Sequence, residues 1–300
     1  MRSEPFLVVG LGEILWDLLP GGKQLGGAPA NCAFHAHSLG ATGAVVSCVG
    51  DDEPGREIFA RLEAFGLDTR GIARDSRHPT GTVSVSVSEQ GQPSYTIHEG
   101  VAWDFLTLNE AMLDLARRCD AVCFGSLAQR SPESRRAIAA FLDATRPECL
   151  RVFDVNLRQH YYDLDILATT LPHASVFKIN DEELPVVSCL LGLRGNTQET
   201  ILSALFEAYP LQALALTRGS KGSTLWTRNA FSECPGGSVE RIADTVGAGD
   251  AFAATLTVGL LRKLPLDRLN TLANRVAAYV CSQPGPTPTL PAEILAEWDA

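Results

Sequence analysis

The sequence predicts a layered α/β fold, with a mostly parallel central sheet between helices and a small β lid. Three observations predict it. Short continuous apolar runs alternate with stretches of helical period, the pattern of strands buried on both faces. Gly81–Ser88 instead alternates Val83, Val85 and Val87 with serines, as a half-buried antiparallel strand does. Polar clusters fall just after the apolar runs, where ligands bind in parallel sheets.

In chain order, Phe6–Gly10 reads as the first strand, and Glu13–Leu18 as its continuation up to a turn at Pro20-Gly21-Gly22. Gly26–Asn31 is a glycine-rich loop opening a helix that runs to Leu39 and stops at Gly40. Ala44–Val49 is a strand and Pro54–Phe65 a helix. Gly81–Ser88 turns at Glu89–Gln92 and returns as Ser94–His98, a hairpin beside the main sheet. Ala121–Phe124, Leu150–Asp154, Val176–Ile179 and Leu211–Thr217 are strands, with helices at Pro132–Thr145, Thr197–Ala208 and Asn270–Cys281. Ser223–Trp226 is an edge-hairpin strand. No repeat or low-complexity linker interrupts the chain, so 1–300 is read as one domain, with a lid from about 12–26 and 80–104.

With 300 residues, 45% of them hydrophobic, the chain can bury a core without a metal or disulfide staple. Its net charge of −10 argues against non-specific binding to nucleic acid or an anionic membrane. Eight scattered cysteines without a Cys-x-x-Cys pair, and no signal or membrane segment, point to reduced thiols in the cytoplasm. The six histidines show no metal spacing. Neither a P-loop string nor a complete Gly-x-Gly-x-x-Gly is present.

The chemistry concentrates at Asp244-Thr245-Val246-Gly247-Ala248-Gly249-Asp250-Ala251-Phe252, followed by an apolar helix to Leu261. Small residues before a helix leave backbone N–H groups and the positive end of the dipole open to anionic oxygen. Side chains at Gly247, Ala248 and Gly249 would obstruct a phosphate. A carboxylate there repels phosphate, unless Asp250 serves to take a proton from an incoming hydroxyl. For a lone Gly-x-Gly-Asp, a turn and a cap would be the simpler reading.

The whole nine-residue string resembles the second signature of the PfkB (ribokinase-like) carbohydrate kinases, and the resemblance extends from Gly12 to Pro291. It implies a ribokinase-like fold and transfer of the ATP γ-phosphoryl group to a primary sugar hydroxyl, with Asp250 as base and Gly247–Gly249 as anion hole. Thr217-Arg218-Gly219-Ser220-Lys221-Gly222 matches the family's ATP-contacting Thr-x-Gly-x-x-Gly, through Thr217, Gly219 and Gly222. Asn180 and Glu183 match Asn-x-x-Glu, which implies a role in organising Mg2+, through water for Glu183, although alone they would read as an acidic helix start. Asp17, Gly26, Gly27 and Asn31 fall at the family's sugar-contacting positions. Asp244 and the backbone of Val246 fall at its K+ site, and Asn274 beside adenine. Pro284-Gly285-Pro286-Thr287-Pro288 replaces the usual Gly-Ala pair, a departure that touches the potassium and adenine sites.

Asp154-Val155-Asn156-Leu157-Arg158 and Ala102-Trp103-Asp104, with the Gly12–Asp17 start, look like fructokinases. Arg158 either holds a phosphate or sugar acid, or pairs with Asp154. Trp103 is read as a core or lid-hinge residue that could border the sugar. D-Fructose, giving fructose 6-phosphate, is the first substrate expected, then 2-dehydro-3-deoxygluconate, then a nucleoside. A non-catalytic ligand binder on the same fold is the alternative of a different class. The half-wet hairpin allows a homodimer.

Overall fold

The computed structural model describes residues 4–19, 21–87, 93–195, 197–237 and 242–299. The expected turn at Glu89–Gln92 and its neighbour Ser88 lie outside these residues, as does Pro20. The first half contains β1 (Leu7–Leu11), β2 (Leu15–Leu19), β3 (Gly22–Gly26), α1 (Ala28–Ser38), β4 (Thr42–Gly50), α2 (Glu53–Ala64), β5 (Ile72–Asp75), β6 (Gly81–Val87) and β7 (Pro93–Ile97). Next come α3 (Glu110–Arg118), β8 (Ala121–Phe124), α4 (Pro132–Asp143), β9 (Leu150–Asp154), α5 (Leu164–Thr170), β10 (Val176–Asn180), α6 (Glu183–Leu190), α7 (Gln198–Ala208) and β11 (Ala213–Thr217). The chain ends with β12 (Ser223–Thr227), β13 (Phe231–Cys234), α8 (Ala248–Leu261), α9 (Leu266–Cys281) and α10 (Ala292–Asp299).

A nine-stranded sheet has the order β13-β12-β11-β10-β9-β8-β1-β4-β5. From β5 to β11 every neighbouring pair is parallel, while β12 and β13 add an antiparallel edge. Both faces are covered, which is why these strands read as unbroken apolar runs. One face packs on α3 to α7 through residues such as Met112, Phe141, Leu167 and Leu205. The other packs on α1, α8 and α9 through Ala36, Phe252 and Val276. Because the strands are parallel, the ends of β1, β9, β10 and β11 open on one edge.

A second sheet of order β3-β2-β6-β7 contains the expected hairpin. Here the structure corrects two readings. The stretch Glu13–Leu18 does not prolong β1: its strand is β2, in the other sheet. The chain changes sheets at Gly12, whose φ of +142° sits in a region open mainly to glycine. β6 is antiparallel to β7, as expected, but parallel to β2. Gly22–Gly26, read as turn and loop, is strand β3, because its backbone pairs with β2 although its sequence is polar.

Candidate active site

α8 starts where the apolar run predicts, with Gly247 as N-cap. Gly247 has φ +81°, and a Cβ there would lie 2.6 Å from Cα of Pro286. Its glycine is therefore required by backbone conformation and by the proline segment behind it, beyond the phosphate clearance expected from sequence. The first helical bond runs from Ala251 N–H to Gly247 O at 2.8 Å, and Ala248 N–H reaches only the Thr245 carbonyl, at 3.5 Å. Among the described residues the N–H groups of Gly249 and Asp250 have no acceptor.

Asp250 is held from across the molecule. Asn31 Nδ2 donates to Asp250 Oδ2 at 2.8 Å, so Asn31 acts inside α1 and does not cap it. One turn on, His35 Nε2 donates to the Pro286 carbonyl at 2.8 Å. A single face of α1 thus braces both the carboxylate and the segment under Gly247. Burial pushes the His35 imidazole down to about 4, so it is neutral near pH 7. Burial raises Asp250 above the usual carboxylate range, opposed by the Asn31 bond and by the charges of Lys178 and Arg158.

The expected sugar-side residues converge on the same place. Asp17, on β2, stands over Gly26, where any Cβ would overlap its Oδ2. Burial, with Asp244 and Asp250 nearby, pushes Asp17 up to about 6 against the pull of Arg158. Gly27 is the N-cap of α1 with φ +109°, and a Cβ there would overlap the Glu13 carbonyl. Arg158 follows a sharp bend at Asn156, which has φ +42°. It does not pair with Asp154, whose partner is Lys178. Its guanidinium donates to the Leu157 carbonyl and its charge is felt at Glu13, Asp17 and Asp250.

On the other side, Asn180 and Thr217 are register partners at the ends of β10 and β11. The Asn180 side chain accepts from Glu182 and Glu183 N–H, while Glu183 accepts from Asn180 N–H at 3.0 Å and Leu157 N–H at 2.9 Å. This is a reciprocal cap, the structural reading of this pair. Gly219 has φ +53° with open space beside its Cα, whereas Gly222 packs against the Cys234 carbonyl. Asn274 spends its amide on Ser223 Oγ at 2.6 Å and the Asn270 carbonyl at 2.8 Å, holding α9 to β12. Asp244 Oδ1 accepts from Val246 N–H at 3.0 Å. The described residues contain no cluster of three or more metal-binding side chains.

Trp103 is a core residue, 1% exposed, with Arg130 stacked on it at 4.1 Å, and Asp104 pairs with Arg130 at 2.8 Å. The Ala102–Asp104 stretch is thus a support beneath the small sheet. Sequence reasoning gave no role to Glu13, Lys178 or His35. A lysine inside the apolar run Val176–Ile179, and an acid between Gly12 and Ile14, were the available signals.

The fold is ribokinase-like: an uncharacterized sugar kinase from Pyrococcus horikoshii superposes with TM-score 0.83 at 29% identity, covering 98% of this chain and all of the other. The chain belongs to the pfkB family of carbohydrate kinases, whose family model matches residues 21–293. Curated relatives include an Escherichia coli fructokinase, 31% identical over 94% of this chain and 95% of that protein. A rice protein, Fructokinase-2, is 30% identical over 98% and 94%. A Thermotoga maritima 2-dehydro-3-deoxygluconokinase shares the fold with TM-score 0.84 at 18% identity, covering 99% of this chain and 99% of the other. The chain is accordingly a sugar kinase of this family.

Proposed function

We propose that this chain transfers the γ-phosphoryl group of ATP to a primary hydroxyl of a small sugar, D-fructose first among candidates. The observation that carries the mechanism is the placement of Asp250 in the first turn of α8, beside two N–H groups without acceptors. Asp250 takes the hydroxyl proton as the sugar oxygen attacks. The Gly247–Gly249 amides meet the charge that develops on the moving phosphoryl group. The Pyrococcus horikoshii kinase, 28% identical, has been solved in complex with ATP, which supports the nucleotide.

The strand ends carrying Thr217, Gly219 and Gly222 take the ATP phosphates, and α9 near Asn274 borders the base. Since both Glu183 oxygens already hold backbone N–H groups, a magnesium ion fits Glu183 and Asn180 through water, and would neutralise phosphate charge there. Potassium would bind at Asp244 and the Val246 backbone; activity with and without potassium tests this. Asp17, Asn31, Gly26, Gly27 and Arg158 hold the sugar. The sheet β3-β2-β6-β7 acts as the lid of one kinase domain, excluding water as a competing acceptor. The fructokinase relatives favour fructose. Arg158 favours 2-dehydro-3-deoxygluconate as the second reading, because a guanidinium suits its carboxylate. ADP release measured on fructose, 2-dehydro-3-deoxygluconate, ribose and nucleosides decides. The reading expects fructose to give the highest kcat/KM, and no release with any of them would leave a binding protein.

A further inference from the structure

Lys178 is a charged residue within a buried strand. Register sets it opposite Asp154 on β9, and its ammonium lies 3.0 Å from each carboxylate oxygen. A buried pair of this kind is costly to desolvate, and apolar residues of similar size serve a core at least as well. Core packing therefore gives no reason for it, but the neighbouring helix does. A Cβ on Gly249 would stand 3.1 Å from Lys178 Nζ. The ammonium thus abuts the first turn of α8, beside the amides that lack acceptors. An ammonium has three donors, and this one makes a hydrogen bond to Asp154 Oδ1, with Oδ2 at ion-pair distance. Beyond Asp154 the ammonium has no hydrogen-bond partner among the described residues.

We propose that Lys178 is a catalytic residue whose free N–H binds an oxygen of the transferring phosphoryl group, with Asp154 as the positioning residue that aims it. The proposal rests on the reading of the α8 N-terminus as the phosphoryl site. In the step, the bond from sugar oxygen to phosphorus forms and the bond from phosphorus to the bridging oxygen breaks. ADP leaves with that electron pair, and the sugar proton goes to Asp250. Lys178 keeps its proton throughout and acts only as fixed positive charge. Burial works against the ammonium, but Asp154, Glu183 and Asp250 outweigh it and hold it charged. A side chain at Gly249 would crowd the ammonium, which would have to give by a few tenths of an ångström.

The test uses the full chain and three variants: K178M, K178R, and the double variant D154L/K178M, which leaves no buried charge if K178M alone fails to fold. Trapping of ADP with aluminium fluoride and sugar is read by calorimetry, beside kcat and ADP affinity. Expected for K178M or the double variant is a loss of about 10²–10³-fold in kcat. ADP affinity stays within a few-fold and the trapped complex is lost, while K178R recovers part of both. Trapping and kcat within threefold of the parent would overturn the proposal. A D250N control separates the two ideas. If D250N is inactive while K178M is normal, only the role of Lys178 fails; if D250N is also normal, the phosphoryl site itself is misplaced.

Discussion

In the proposed site, the phosphate half and the sugar half are built by different means. The phosphate half is mostly main chain: the first turn of α8, capped by Gly247 and backed by Pro286. The sugar half is side chains delivered from distant segments: Asp17 on β2, Asn31 on α1 and Arg158 after β9. Backbone geometry of this kind is encoded by a contiguous string of small residues. Side-chain geometry is set by which strands become neighbours. The first half should therefore fail through kcat when damaged, and the second through the sugar KM.

The largest expected effect is at the main-chain half. Gly247→Ala forces a Cβ onto Pro286 at φ +81°. It should cost about 1–3 kcal/mol of stability. It should also lower kcat by about 10²-fold or more by turning the amides. A thermal melt with steady-state kinetics checks both. Next, Arg158→Ala should raise the sugar KM by about 10–100-fold, the worth of a charged hydrogen bond, with the ATP KM within a few-fold. An equal rise in both KM values would erase the contrast between the halves.

A third effect depends on pH. Asp17 titrates at about 6, so its carboxylate is lost as pH falls through that value. The sugar KM should rise below about pH 6, roughly tenfold per unit once Asp17 is mostly protonated. Asp17→Asn should remove the slope while raising KM throughout. The last effect is on stability and leaves the contrast between the halves untouched. Glu13 is buried, and burial raises it from 4.5 to about 7. Between those values the folded protein keeps a proton that the unfolded chain releases, so stability falls as pH rises through the window. The full span is about 3 kcal/mol. Glu13→Gln should flatten this part of the denaturation profile between pH 4.5 and 7.

What the sequence made legible follows the same division. The long strands and α8 were readable because continuous apolar runs and a small-residue loop leave few alternatives. The position of Asp250 in the first turn of α8 was readable for the same reason. The strand at Gly22–Gly26 was not, since Lys23 and Gln24 carry no alternation and only pairing with β2 makes it a strand. Lys178 was hidden because its meaning lies in register: nothing local says that it faces Asp154, or that Gly249 leaves room for it. His35 shows the same limit, with its partner Pro286 far along the chain. The Ala102–Asp104 stretch marks the reverse case, a family-like string whose residues support the small sheet from within.

The central claim is that the α8 first turn is where the phosphoryl group moves and that Asp250 takes the proton. It is tested most directly by the Asp250→Asn variant, with kcat and ATP affinity measured on the same preparation. The account predicts a fall in kcat of about 10²–10⁴-fold, with ATP binding within a few-fold of the parent. Turnover close to the parent's would contradict it.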